Sequence, residues 1–279
     1  MEAECLLREL GINTLPIDPF VVADLLDIDL RPLPASNGGV SGMLLHVNGE
    51  FGIAYPTHIK NEGFKRFSLA HEIGHYRLPG HIDAVLDANG QHISKAGFRS
   101  TDRYEQEADH FASALLMPKK LFIAAMRSAG DGLQAIETLQ EKCETSLEST
   151  AIRYVQTSRN PVVVIRSGDR AIDYAVMSDR FKEFPGLDWI RKGMPLPPSS
   201  ITASFNANRD NITRGKRVEG EGCLQDWFNG PHRQEIIEEV VGLGSYGKTL
   251  TVLTGMEHPD EVEDDETELV ESWDVRFRR

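Results

Sequence analysis

An α+β fold is predicted by three features of the sequence. Residues 66–75 and 104–118 carry apolar side chains at helical spacing, Phe67, Leu69, Ala70, Ile73 and Gly74 in the first and Ala108, Phe111, Ala112 and Leu115 in the second. Between strand-like runs at 40–46 and 51–55 stands Asn48-Gly49, the positive-φ pair of a type I′ hairpin turn. Beyond Asn160-Pro161 the pattern changes to short apolar runs separated by turn residues. The expected organisation is a first domain over 1–130, a helical, helix-turn-helix-like extension over 131–159, and a C-terminal α+β domain over 160–256 that is a candidate sensory module. An acidic segment and tail over 257–279 complete it.

In chain order, residues 3–10 have helical spacing and stop at Gly11. Asp18-Pro19 supplies an N-cap and a proline at the first helical position, starting a short helix through Val21, Val22, Leu25 and Leu26. Residues 28–33 alternate apolar and polar and read as an edge strand, because Pro32 cannot donate to a ladder. The 40–55 hairpin is the candidate sheet edge for docking an extended peptide; simply walling the core is the alternative. Asn61 caps the next helix. Arg66 sits early in it, against the helix dipole, so it either pairs with a carboxylate of the fold or is plainly solvated. Pro79, Gly80, Asn89-Gly90 and Gly97 mark 79–101 as a long loop, a lid over a cleft or a disordered insertion.

After Pro118, residues 121–126 continue helically and break at Gly130-Asp131-Gly132. Residues 133–143 and 145–156 form a helical pair, the second opened by a capping box of Thr145 and Glu148. On that pair Glu137, Glu141, Glu144 and Glu148 outnumber Lys142 and Arg153, which favours scaffolding or partner docking over DNA readout. Further on, 162–166 and 171–177 make a hairpin around Gly168-Asp169, and a short helix lies near Phe181. Pro195-Leu196-Pro197-Pro198 is a linker, and 235–241 pairs with 249–253 around Gly244-Ser245-Tyr246-Gly247. The acidic run 257–271 reads as a solvated segment, ending in Trp273 and Phe277 among arginines.

The chemistry concentrates in His71-Glu72-Ile73-Gly74-His75. On a helix the imidazoles of His71 and His75, four apart, meet at one metal ion, and Glu72 flanks them where a carboxylate reaches water at that ion. Such a site needs a further protein ligand and an open position. Glu105 and Asp109 share a face of the second helix, a spacing that suits Glu105 as the third ligand and Asp109 as the hydrogen-bond partner of a ligating histidine. Glu107 points away and reads as a solvated charge. His81, ten residues after His71, competes for the third ligand, but Leu78 stands where that longer motif needs a glycine. Otherwise His81 lies near the cleft, and His92 reads as a loop residue.

The block from Arg66 to Pro118, R-F-S-L-A-H-E-I-G-H followed by E-x-E-A-D-x-F-A-S-A-L-L-M-P, resembles the ImmA/IrrE family of metallopeptidases. The resemblance implies a gluzincin-like minimal zinc peptidase domain in which His71, His75 and Glu105 hold the metal and Glu72 is the catalytic base. At Asp109 relatives often have Asn; either side chain can orient a histidine. Family members are typically intracellular bacterial enzymes that cleave a partner helix-turn-helix repressor of the XRE-like kind, switching on stress-response or mobile-element genes. Two imidazoles and a carboxylate favour Zn2+, while Mn2+ or Fe2+ can occupy the same ligands. The alternative is a non-catalytic, metal-containing regulator or toxin–antitoxin component that acts by protein binding.

Composition sets the remaining bounds. The 279 residues, 40% of them hydrophobic, can bury one large core or two domains. A formal charge of −13 repels polyanions, so no direct nucleic-acid partner is expected, and it favours a basic protein partner. Cys5, Cys143 and Cys223 form no paired framework, which points to a reducing compartment. With neither an export signal nor an apolar run of about 18 residues, a soluble, cytoplasmic protein is expected, without membrane contact.

Overall fold

The computed structural model describes residues 2–33, 39–57, 61–95, 102–231 and 233–256. The acidic run with its arginine-rich tail, 257–279, and the Gly97 end of the 79–101 stretch lie outside the described residues. Helices and sheets are both present, so the fold is α+β. The chain divides into two compact units, Met1–Gly130 with Gln134–Arg153, and Asp131–Leu133 with Tyr154–Arg279. The helical stretch 131–159 is thereby shared between them.

The first unit runs α1 (Glu2–Glu9), α2 (Pro19–Leu25), β1 (Asp29–Leu33), β2 (Val40–Val47), β3 (Glu50–Pro56), α3 (Glu62–Arg77), α4 (His81–Val85), β4 (Gln91–Lys95), α5 (Arg103–Leu116) and α6 (Lys119–Met126). It ends in α7 (Gly132–Cys143) and α8 (Leu147–Thr157), whose outer ends count with the second unit. The sheet order is β1-β3-β2-β4, with β1 parallel to β3 and the other pairs antiparallel. This corrects the expected docking edge. Both strands of the 40–55 hairpin are internal, and the edge strands are β1 and β4. Strand β4 arises inside the stretch read as a loop: Asp87 Oδ1 accepts from Asn89 and Gln91 N–H, Gly90 takes a positive φ of 71°, and the chain returns along β2.

Helix α3 starts where Asn61 Oδ1 accepts the Phe64 N–H, and it is buried without a break from Ser68 to His75. A helix so enclosed needs small residues where neighbours press on it. Gly74 is one: a Cβ there would stand 3.1 Å from the Phe111 ring and 3.3 Å from Ala108 Cα of α5. That close approach puts the α5 carboxylates beside the α3 histidines. Arg66 is no solvated side chain. Buried, it donates to the Ile17 carbonyl at 2.6 Å and pairs with Glu144 at 2.7 Å, tying the site helix to the α2 entry and the α7–α8 turn. The α8 cap also differs from expectation. Ser146 Oγ accepts the Ser149 N–H at 3.1 Å, while Thr145, buried, bonds Thr150 instead.

The second unit comprises β5 (Val163–Gly168), β6 (Ala171–Met177), α9 (Asp179–Lys182), α10 (Ile201–Asn206), α11 (Arg209–Thr213), β7 (Arg217–Cys223), α12 (Leu224–Phe228), β8 (Glu235–Gly242) and β9 (Thr249–Thr254). Its sheet is antiparallel throughout, ordered β6-β5-β9-β8-β7. Both hairpins expected here form. Strand β7, Arg-Val-Glu-Gly-Glu-Gly-Cys, has no apolar alternation to announce it. The proline-rich linker is less detached than expected, since Pro195 bridges to Ala171 and Ile172 donates its N–H to Met194. Val163, Ile165, Phe228, Ile236 and Leu253 centre the core. The buried Glu238 carboxylate accepts from Thr202 N–H and hydroxyl, which seats α10 on the sheet. No helix among the described residues is long and apolar enough to cross a membrane.

Candidate metal centre

Helix α3 presents His71 and His75 on one face, their Nε2 atoms 3.0 Å apart. Glu105, in the first turn of α5, meets both: Oε2 lies 3.4 Å from His71 Nε2 and Oε1 lies 3.3 Å from His75 Nε2. The three residues expected as ligands are thus brought together. Asp109, one turn on, reaches the far nitrogen of His71, Oδ1 to Nδ1 at 2.9 Å, as its spacing predicted.

Two further histidines occupy places the sequence did not reveal. His92 is on β4, not in a loop, and its Nε2 lies 3.0 Å from Glu105 Oε1. The donor atoms of His71, His75, His92 and Glu105 all fall within 4.8 Å of one another. His81 is fully buried at the start of α4 and does not join this cluster. Its Nδ1 faces the Nδ1 of His75 at 3.2 Å, and its Nε2 faces Glu107 Oε2 at 3.1 Å. Glu107 is solvated, as expected, with its side chain 40% exposed, and it is also a partner of His81 and Arg103.

Glu72 lies beneath the sheet, fully buried, with the Ser94 side chain beside its carboxylate but no well-formed hydrogen bond to either oxygen among the described residues. Burial is the main reason its pKa is pushed up. Burial also drives His75 down to about 4, so its imidazole is neutral and ready to ligate. His71 goes the other way. Burial opposes its charge, but the hydrogen bonds to Asp109 and then Glu105 raise it to about 10. Glu105, despite burial, is held well below the usual carboxylate range by the imidazoles of His71, His75 and His92 that surround it.

These residues fit a divalent ion. Ligand bonds of about 2.0–2.1 Å in a tetrahedron space the donor atoms about 3.3–3.4 Å apart, close to the separations found. Buried, with its pKa raised and no well-formed hydrogen bond among the described residues, Glu72 is a candidate functional group of this site. The donor set does not by itself choose among divalent metals.

Residues 23–155 match the model of the peptidase M78 family, described as the IrrE N-terminal-like domain. The radiation response metalloprotease IrrE of Deinococcus radiodurans is 34% identical over 101 residues, 36% of this chain. That stretch spans 29% of the relative's own length. Among solved structures, a Mycobacterium tuberculosis transcriptional regulator superposes with a TM-score of 0.54 at 16% identity, over 98% of this chain and 79% of that one; the likeness is one of fold.

Proposed function

We propose that this chain, whose residues 23–155 match the IrrE N-terminal-like domain of the peptidase M78 family, is a zinc-dependent endopeptidase that cleaves a basic helix-turn-helix repressor. One observation carries this reading: His71, His75 and Glu105 converge beside a fully buried carboxylate, Glu72, whose oxygens make no well-formed hydrogen bond among the described residues. His71, His75 and Glu105 would hold a divalent ion, which would supply acidified water and a Lewis acid for the scissile carbonyl. Glu72 takes the proton from the attacking water and passes it to the leaving amine. Asp109 holds the ring of His71 from behind. The substrate enters as an extended segment along the outer edge of β4, which has no partner strand among the described residues. The formal charge of −13 draws a basic DNA-binding protein toward the enzyme.

His92 decides whether the site can turn over. We assign it as a donor toward the developing oxyanion, carried by the strand that the substrate meets, and not as a fourth permanent ligand. His92→Ala then lowers kcat/KM by about 10²–10³, the usual cost of losing one such donor, while metal affinity stays within about tenfold of wild type. A fall in metal affinity as steep as that of His71→Ala would make His92 a ligand and leave no position for substrate.

The proposed activity is tested by incubating the purified, zinc-loaded chain with basic helix-turn-helix regulators encoded beside it, with and without chelator. The expected result is one chelator-sensitive cut, mapped by mass spectrometry. Stable binding without any cut would replace the peptidase with a metal-containing regulator that acts by association.

A further inference from the structure

His81 and Glu107 are not used by the reaction as described, yet they form a connected line behind the metal centre. His75 Nδ1 lies 3.2 Å from His81 Nδ1, His81 Nε2 lies 3.1 Å from Glu107 Oε2, and Glu107 Oε1 accepts from Arg103 Nε at 2.6 Å. His75 and His81 are fully buried, and the Tyr104 ring stands edge-on to His81 at 5.0 Å, so neither imidazole has room to turn. Gly80, at φ 77°, makes the left-handed turn that brings His81 under α3 immediately after Pro79.

The line has one self-consistent set of protons. If His75 presents the Nε2 lone pair to a metal, its hydrogen is on Nδ1. That N–H donates to His81 Nδ1, which must then be the acceptor, so the His81 hydrogen is on Nε2. It donates in turn to Glu107, an acceptor on both sides because Arg103 is a donor only. Asp109 performs the corresponding task directly for His71. For His75 a carboxylate does it at one remove, through a second imidazole.

We propose that His81 and Glu107 are positioning residues that fix the metal-binding tautomer of His75. This rests on reading the cluster as a metal centre, and is independent of whether a repressor is cut.

Three variants test it: His81→Leu, which fills the space but cannot accept; His81→Gln, whose amide can accept from His75 and donate to Glu107; and Glu107→Ala. Zinc affinity is measured by chelator competition, with the circular dichroism of the metal-free proteins as the check on folding. His81→Leu is expected to weaken zinc binding about 10–100-fold, Glu107→Ala less, and His81→Gln should recover most of the loss. Glu107→Ala should cost nothing further in the His81→Leu background, because its effect runs through His81. In the wild type, histidine 15N correlation spectra should show hydrogen on His75 Nδ1 and on His81 Nε2. Equal zinc affinity for wild type and His81→Leu, equal loss for Leu and Gln, or hydrogen on His75 Nε2 in the metal-free protein would each overturn the proposal. If the wild type takes up no metal, the metal-centre reading falls and the relay with it. If it binds zinc but cuts nothing, only the peptidase reading falls.

Discussion

Glu72→Gln is expected to lower peptide hydrolysis by about 10²–10⁴-fold, the range that general-base catalysis contributes, with the metal content per chain unchanged. The substitution keeps the shape of a fully buried side chain and removes only its capacity to take a proton. Metal is retained because none of the converging donor atoms belongs to Glu72. Stability should not fall either. The wild-type carboxylate is buried without a well-formed hydrogen bond to either oxygen among the described residues, and burial raises its pKa, so it is a costly group to hold ionised. A neutral amide removes that cost. Metal analysis, kcat/KM on the cleaved substrate and thermal melting of the metal-free protein read the three effects separately. Wild-type turnover in Glu72→Gln would mean that water is activated by another group.

Much of the centre was legible in the sequence because its parts follow local rules. His71 and His75 sit one helical turn apart on α3, and Glu105 and Asp109 one turn apart on α5. Periodicity alone therefore places two candidate ligands on one helix and a third, with a carboxylate one turn away, on another. Strand β4 was missed for two physical reasons. Its partner β2 lies far back in the chain, so no turn signal joins them. Its polarity is also inverted: His92 and Ser94 point into the site while Ile93 is 47% exposed, so a strand whose covered face is the metal centre reads as polar. The His81 relay was hidden differently. Glu107 does point away from Glu105, as the helical wheel says, but α4, a five-residue helix without a periodic pattern, puts a histidine there to meet it. For Arg66 the sequence left pairing and solvation both open, and its position against the helix dipole is matched by pairing with Glu144.

The second large effect is expected from a residue with no functional group. Gly42 of β2 lies over Glu72, and a Cβ there would come 2.9 Å from Glu72 Cγ and 3.0 Å from Cδ, closer than side-chain carbons approach. Its neighbours leave little slack: the β2–β4 pairing shifts register between Val40 and Gly42, and Gly42 faces Ser94 across that irregularity. Gly42→Ala must therefore push the Glu72 carboxylate aside. A displacement of about 1 Å at a reacting group costs about 10²-fold, so kcat/KM should fall by about that factor or more. His71, His75 and Glu105 belong to α3 and α5, so zinc affinity should stay close to wild type. Met43→Leu, beyond that irregularity and paired with the exposed Ile93 on the opposite face, is the control and should leave turnover unchanged. The decisive comparison is the double variant. If Gly42 acts only by giving Glu72 its place, adding Gly42→Ala to Glu72→Gln should cost almost nothing more, whereas a general disturbance of the sheet would lower the residual rate again. Full activity in Gly42→Ala would show that Glu72 does not work from the position in which it is found.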